Sequence, residues 1–402
     1  MKVLLCHNYY QQPGGEDQVF EDESALLEAH GHDVVRYTLH NDSIDQLGKL
    51  DLLRKTLWNH QSAEAIRETI RRTRPDVMHC HNVFPLISPA AYHVAKQEQV
   101  AVVQTLHNYR TVCPKAVLLR DGKICESCLG KSIAWPAIVH SCYRDSRAAS
   151  ATVAALLAFH RAKKTWTHSV DRFIALTEFS KQKHVEGGLP AEKIDVKPNF
   201  VNPDPKIGGG NGDYAVFVGR LSPEKGIETL LDGWSHLKRD LNLKIIGDGP
   251  LADDVRRAAQ EDARIEWLGR REFSEVCDIV GEAQCLVMPS VWYETFGRTI
   301  VEAYAKGTPV IASRLGAMQE LVAEGRTGLL FDPGDPVNLA ATVEQLLSRP
   351  DQLPAYRERA RQEYESHFTP EANYEQLIGV YERALGADSP KPVEEPVGAA
   401  PC

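Results

Sequence analysis

The chain reads as an α/β protein of two Rossmann-like domains facing a cleft. Three observations carry that expectation. Its 402 residues exceed what one hydrophobic core organises, and suit two domains of about 200. Apolar strand-like runs alternate with amphipathic segments along most of the length, the pattern of parallel sheets with helical crossovers. A turn-rich break falls near the middle.

Taken in order, the first half predicts strands over Lys2–His7, Asp33–Leu39, Asp76–His81 and Val100–Leu106, with helical patterns over Asp17–His30 and Ser62–Arg72. A cysteine-bearing insertion, residues 109–143, interrupts the series. A long Ala-rich helix is expected from Arg147 to His168, then a strand over Arg172–Thr177 and a helix from Glu178 to about Gly187. The Pro- and Gly-rich stretch from Pro198 to Gly212 is read as the interdomain linker, so the first domain spans 1–200. Six more strand runs follow in the second domain, 201–369: Tyr214–Gly219, Leu243–Ile246, Ile265–Leu268, Cys285–Pro289, Pro309–Ser313 and Gly328–Phe331. Tyr374, Leu377, Ile378 and Tyr381 recur at helical spacing and predict a docking helix over 370–387. The Pro-, Glu- and Ala-rich tail, 388–402, is expected to be disordered.

Composition narrows the function classes. A formal net charge of −9 gives no global attraction to nucleic acid or to an acidic membrane. The first residues hold an apolar run far short of a signal core or of the ~20 residues that cross a bilayer, which leads us to expect a cytoplasmic protein with mostly reduced thiols among its nine cysteines. A local basic and apolar patch around Lys163 and Lys164 leaves room for peripheral contact with the inner face of a membrane.

Two nucleotide signatures are incomplete. Gly14-Gly15 sits between the first strand and first helix, but the dinucleotide fingerprint needs further spaced glycines that do not follow. Gly130-Lys131-Ser132 ends like a phosphate-binding P-loop, yet Cys125 stands where the leading glycine belongs.

The segment Pro289 to Glu302 places Glu294 and Glu302 eight positions apart across a strand end, a loop and a helix start. A helix beginning before Ala303 and stopping at Gly307 turns its first amides toward whatever lies above the strand, which suits a phosphate. Earlier, Phe217-Val218-Gly219-Arg220-Leu221-Ser222-Pro223-Glu224-Lys225-Gly226 sets a guanidinium and an ammonium five residues apart after the first strand of the domain. An isolated pair of this kind is commonly a solvated surface pair; together the two cations could also hold one diphosphate and stabilise its developing charge.

These segments resemble the Glu-x7-Glu and Gly-Arg-Leu-x-x-x-Lys-Gly motifs of retaining family-4 glycosyltransferases of the GT-B superfamily, and Ile246-Gly247-Asp248-Gly249-Pro250 resembles their next strand-end loop. The resemblance runs from about Lys2 to Leu385 and is strongest between Gly219 and Pro309. It implies transfer of a hexose from a nucleotide-sugar donor to a hydroxyl of a saccharide or lipid-linked acceptor, with retention of anomeric configuration and no cofactor or divalent cation at the donor, as in polysaccharide biosynthesis. By the same resemblance Glu302 holds the ribose hydroxyls, and Glu294 contacts sugar hydroxyls near the anomeric centre. Gly14, Gly15, Gly247, Thr299 and the amides of Phe296 and Gly297 line the donor, Arg220 and Lys225 hold the diphosphate, and His107 stands beside the sugar. The closing helix would cross back to the first domain. Thr299 departs from the aliphatic residue common there, and Asn108 follows His107 where many members have Asp. His79 and His81 could face the cleft. An inactive sugar-nucleotide-binding scaffold and a nucleotide-sugar epimerase on the same fold are the competing readings.

Cys113, Cys125, Cys128 and Cys142 form Cys-x11-Cys-x2-Cys-x13-Cys within the insertion. The central pair has a tetrahedral bite and the outer two complete four thiolates, consistent with structural zinc, although the outer spacings are not those of a standard zinc ribbon. Buried or redox thiols and a disulfide remain open at this point.

Overall fold

The computed structural model describes residues 1–11 and 14–386; the expected tail over 388–402 lies outside them. The first sheet is built from β1 (Lys2–Tyr9), β2 (Asp33–His40), β3 (Val77–Asn82), β4 (Ala101–Thr105), and, beyond a small hairpin of β5 (Leu119–Arg120) and β6 (Lys123–Ile124), β7 (Arg172–Ala175) and β8 (Ile194–Val196). Its order is β2-β1-β3-β4-β7-β8, with every pairing parallel. The second sheet comprises β9 (Tyr214–Val218), β10 (Asn242–Ile246), β11 (Ile265–Gly269), β12 (Cys285–Met288), β13 (Val310–Ser313) and β14 (Gly328–Phe331), in the order β11-β10-β9-β12-β13-β14. Each sheet reverses its strand order once, between β1 and β3 and between β9 and β12. Ligands of open parallel sheets bind beyond the strand ends at such reversals.

Strand alternation explains the layering. On β1, Leu4 and Cys6 enter one apolar cluster with Ile66, Met78 and Phe173, while Val3 and Leu5 enter another on the opposite face. That second cluster contains Leu377, Val380 and Tyr381 from the helix Pro370–Ala384. The last helix thus packs on the first sheet, and the chain crosses between the two units a second time.

The expected helix Arg147–His168 is shorter than its Ala-rich pattern suggests. It ends at Ala162, Lys164 takes a left-handed backbone, and a wider turn covers Thr165–Ser169. His160 helps to end it, since Nδ1 meets Thr165 Oγ1 at 2.9 Å and Nε2 meets the Leu57 carbonyl at 2.9 Å. Those partners exist only in the folded protein. The helices Lys49–Leu57 and Ala90–Gln97 were not expected from periodicity.

Candidate active site

β12 is buried along its whole length, and it delivers the loop Pro289–Gly297 to the cleft. Gly297 has a positive φ of 113° and caps the helix Arg298–Ala305, a conformation that favours glycine. Within this loop Glu294 is buried, and its Oε1 accepts from Lys225 Nζ at 2.7 Å and from Ser290 Oγ at 2.7 Å. Lys225 also lies 5.3 Å from the centre of the Trp292 ring. Its own loop is pressed onto the end of β12: Val291 N donates to the Glu224 carbonyl at 3.0 Å, and a Cβ on Gly226 would stand 1.9 Å from the Pro289 carbonyl oxygen. The glycine after Lys225 is therefore what lets ammonium and carboxylate meet.

Arg220 is exposed, and while its carbonyl accepts from Ser222 N at 3.0 Å, its guanidinium makes no hydrogen bond or ion pair among the described residues. Gly247 has φ 134°, and a Cβ there would sit 1.9 Å from the Gly219 carbonyl oxygen, so close packing of two strand-end loops already accounts for this glycine. Phe296 is buried in the core beside Phe368, which leaves only its backbone for a ligand. Thr299 Oγ1 lies 3.7 Å from Met288 Sδ.

Glu302 is not a free carboxylate. Arg298 Nε donates to its Oε1 at 2.9 Å, while Arg298 Nη2 donates to Asp22 Oδ2 on the first helix at 2.8 Å. Arg298 was not singled out in the sequence, where it fills an unremarked position between Gly297 and Thr299. Burial works against its charge, but Glu302 and Asp22 together hold its pKa above the ordinary value.

On the first sheet, Gly14 and Gly15 have open space where a Cβ would project, and neither has a positive φ. Asp17 Oδ2 accepts from Gly14 N at 2.9 Å and its Oδ1 meets His7 Nε2 at 2.7 Å, fixing the start of the helix Gly15–Ala29. Glu16, beside them, accepts from Tyr10 Oη at 3.1 Å and Asn108 Nδ2 at 3.3 Å through Oε2, and its Oε1 is buried without a partner. Burial, reinforced by Asp17, pushes its pKa up to about 8.

His107 follows β4, and its Nε2 lies 3.0 Å from His81 Nδ1. His81 Nε2 in turn stands 3.3 Å from Glu23 Oε2, and Glu23 Oε1 accepts from the buried Lys197 ammonium at 2.7 Å. Burial alone would raise Glu23, but Lys197 and His81 hold its carboxyl well below the usual range. His81 Nε2 and Glu23 Oε2 stand at ion-pair distance without hydrogen-bond geometry. The anionic carboxylate favours a proton on that nitrogen, which leaves His81 Nδ1 to accept from His107 Nε2–H and His107 Nδ1 with its lone pair. Burial, with His81 beside it, lowers the His107 pKa well below its ordinary value, so the ring is neutral near pH 7. His107 and His81 line a cavity with Tyr10, Gln104, Asn108 and Arg110. His79, by contrast, does not face the cleft. It is fully buried, with Nδ1 on Tyr381 Oη and Nε2 on Thr105 Oγ1, both at 2.8 Å. Glu23, His79 and His81 lie close enough to share a cation, but His79 has spent both nitrogens and Lys197 already neutralises Glu23.

The two halves of the site meet directly. Thr295 Oγ1 donates to the His107 carbonyl at 2.8 Å, and Tyr109 Oη donates to the Glu294 carbonyl at 3.4 Å. The four cysteines of the insertion, none in a disulfide, line one small cavity with Lys115 and Arg120.

Two facing parallel-sheet units, a site at their strand ends and a last helix returning to the first unit define the GT-B fold. A model of Glycosyltransferase Family 4 matches residues 13–205, and one of Glycosyl transferases group 1 matches residues 212–349. In domain content, then, the chain matches two glycosyltransferase domain families, one on each unit of a GT-B fold. An uncharacterised glycosyltransferase of Methanocaldococcus jannaschii is 32% identical over 184 residues, covering 45% of this chain and 51% of that protein. The chain thus spans about half the length of that relative. An uncharacterised protein of the cps region of Klebsiella pneumoniae is 25% identical over 357 residues, 80% of this chain and 87% of that one. The crystal structure of Anabaena HepE in complex with UDP-glucose superposes with a TM-score of 0.67 at 18% identity, covering 94% of this chain and 98% of that chain.

Proposed function

We propose that the protein transfers a sugar from a nucleotide-sugar donor to a hydroxyl acceptor with retention of configuration, without a divalent cation at the donor diphosphate. The observation that carries this reading is the meeting of Lys225 and Glu294 at 2.7 Å on the donor side, directly opposite the His107 loop. Lys225, the exposed Arg220 and the amides after Gly297 supply positive charge for the diphosphate, where another fold would use a metal ion. Gly14 and Gly15 leave open space on the facing loop for the same phosphates. HepE was crystallised with UDP and with UDP-glucose, which makes a uridine donor the first to test.

In the step itself, the acceptor oxygen forms a bond to the anomeric carbon as the bond from that carbon to the phosphate oxygen breaks. The acceptor proton passes to the departing diphosphate on the same face. Glu294 orients sugar hydroxyls through its acceptor oxygens, and neutral His107 offers a lone pair at Nδ1 to a hydroxyl beside the sugar. Glu302, tied to Arg298, is pre-set to take ribose hydroxyls on its remaining lone pairs.

A saccharide carried on lipid suits the surface beyond the His107 cavity. Ile133, Trp135, Val139 and Phe159 are exposed there, with Lys131 over Trp135 and Lys163 over Phe159 and Trp58, the mixture that seats a protein at a membrane surface. No described helix is long and apolar enough to cross a membrane. Thermal stabilisation by a panel of nucleoside diphosphates and nucleotide sugars, compared between wild type and Arg220→Ala, tests the donor site. NMR of the product's anomeric proton then tests retention. An inverted anomer, or no shift with any nucleotide at saturating concentration, sinks the corresponding part of the reading.

A further inference from the structure

We propose that Cys113, Cys125, Cys128 and Cys142 bind one structural zinc ion that clamps the insertion against the donor loop and so positions Glu294. The four thiols reach one cavity from three separate places: the turn after Tyr109, the loop following the β5–β6 hairpin, and the turn after the helix Trp135–Val139. A single tetrahedral ion would therefore tie together all the parts of the segment, with no open coordination position left for chemistry. Two cations, Lys115 and Arg120, line the same cavity, and four thiolates around a divalent ion carry a net negative charge that they offset. No three of the sulfurs lie within 4.8 Å of one another, so loading draws the three places inward.

The segment needs such a staple. Its regular structure is a hairpin of two-residue strands and a five-residue helix, and its buried apolar side chains are few and several are small: Tyr109, Val112, Cys113, Leu118 and Leu119, with Ala116, Ala134 and Ala137. So few contacts do not offset the entropy of ordering some thirty-five residues, and small units of this kind fold on a metal or a disulfide. Every cysteine in the quartet is reduced here.

The clamp has a functional target. Tyr293, next to Glu294, packs on the same small cluster, and Tyr109 donates to the Glu294 carbonyl. Glu126, between the two central cysteines, pairs with Lys183 at 2.8 Å on the helix Glu178–Glu186, whose Phe179 packs edge-on against Tyr293. Holding the segment in place thus holds the backbone of Glu294. This last consequence rests on the transfer reading above; the metal assignment does not.

The test uses the full chain expressed with added zinc and purified under reducing conditions. About one zinc per chain is expected by elemental analysis, with the Cys125→Ser/Cys128→Ser variant retaining less than about a tenth of that. Cobalt in place of zinc is expected to give the intense visible bands of tetrahedral thiolate coordination. Wild type that takes up neither metal, protein that holds iron instead, or a mapped disulfide within the quartet overturns the site. Transfer by the variant is expected to fall about tenfold or more while the main thermal transition shifts little. Full activity in a variant shown to be zinc-free overturns the coupling to Glu294. If wild type carries zinc yet binds no nucleotide, the transfer reading fails alone and the zinc site stands.

Discussion

Arg298 donates to Asp22 at 2.8 Å, which fastens the helix of the Glu-x7-Glu motif in one unit to the first helix of the other. The same guanidinium orients Glu302, so the carboxylate proposed to hold ribose and the contact between the two units share one side chain. Burial pushes the Asp22 carboxyl up from its ordinary value despite Arg298, so for the charged carboxylate desolvation outweighs what the pairing contributes. Asp22→Asn keeps an acceptor for Arg298 and should lower stability by about 1–3 kcal/mol. Small-angle scattering should show the variant more open, and its KM for donor should rise more than its kcat falls. Unchanged scattering and KM together would mean that the contact does not govern closure.

Glu294 accepts from both Lys225 and Ser290, and replacing it with glutamine keeps its shape and one acceptor oxygen. The negative partner of Lys225 is lost, along with an acceptor for sugar hydroxyls. Transfer by Glu294→Gln should fall by about 10²–10³-fold in initial-rate assays, with the thermal midpoint nearly unchanged. A loss within about threefold would remove Glu294 from the reacting region.

What could be read from the sequence was what neighbours in the chain determine. β1, β9 and β12 are apolar runs because both faces of a parallel sheet are covered, and that pattern is local. Lys225 and Glu294 stood out because each lies in a short stretch of glycines and polar residues after such a run. Arg298 did not, since its meaning lies in Asp22, far away along the chain. Glu23, His81, His107 and Lys197 form their network only after four elements come together, and no spacing announces it. The end of the helix at Ala162 escaped notice for a related reason. No glycine or proline marks it, and the groups that bind His160 include a carbonyl on another helix.

Glu16 should make stability depend on pH. Its folded pKa of about 8 stands above the ordinary 4.5, because burial disfavours the charged form more than Tyr10, Asn108 and Arg110 favour it. The folded chain therefore keeps a proton that the unfolded chain releases between those values. The contribution is complete below 4.5, declines as pH rises toward about 8, and is gone above it. Glu16→Gln retains the Tyr10 and Asn108 contacts without the titration. Urea midpoints measured across this range should fall less steeply with pH for the variant than for wild type, and parallel curves would assign the decline to other groups.

Lys197 and Glu23 are both buried, and the lysine also donates to Asn373 Oδ1 at 3.1 Å on the last helix. One ammonium thus links the strand-end segment leading to the second unit, the first helix and the helix that returns. Lys197→Met would leave Glu23 without its counter-charge in a site closed to water, at a cost of about 3–5 kcal/mol. It would also weaken the order of protons through His81, because a Glu23 that protonates to relieve the strain no longer sets a negative charge beside His81 Nε2. Glu23→Gln combined with Lys197→Met removes both charges, and should recover much of the thermal midpoint. It should not recover transfer if the anion sets the tautomer of His107. Recovery of both would show that the pair serves packing alone, whereas recovery of stability without activity would place Glu23 as a positioning residue behind His107.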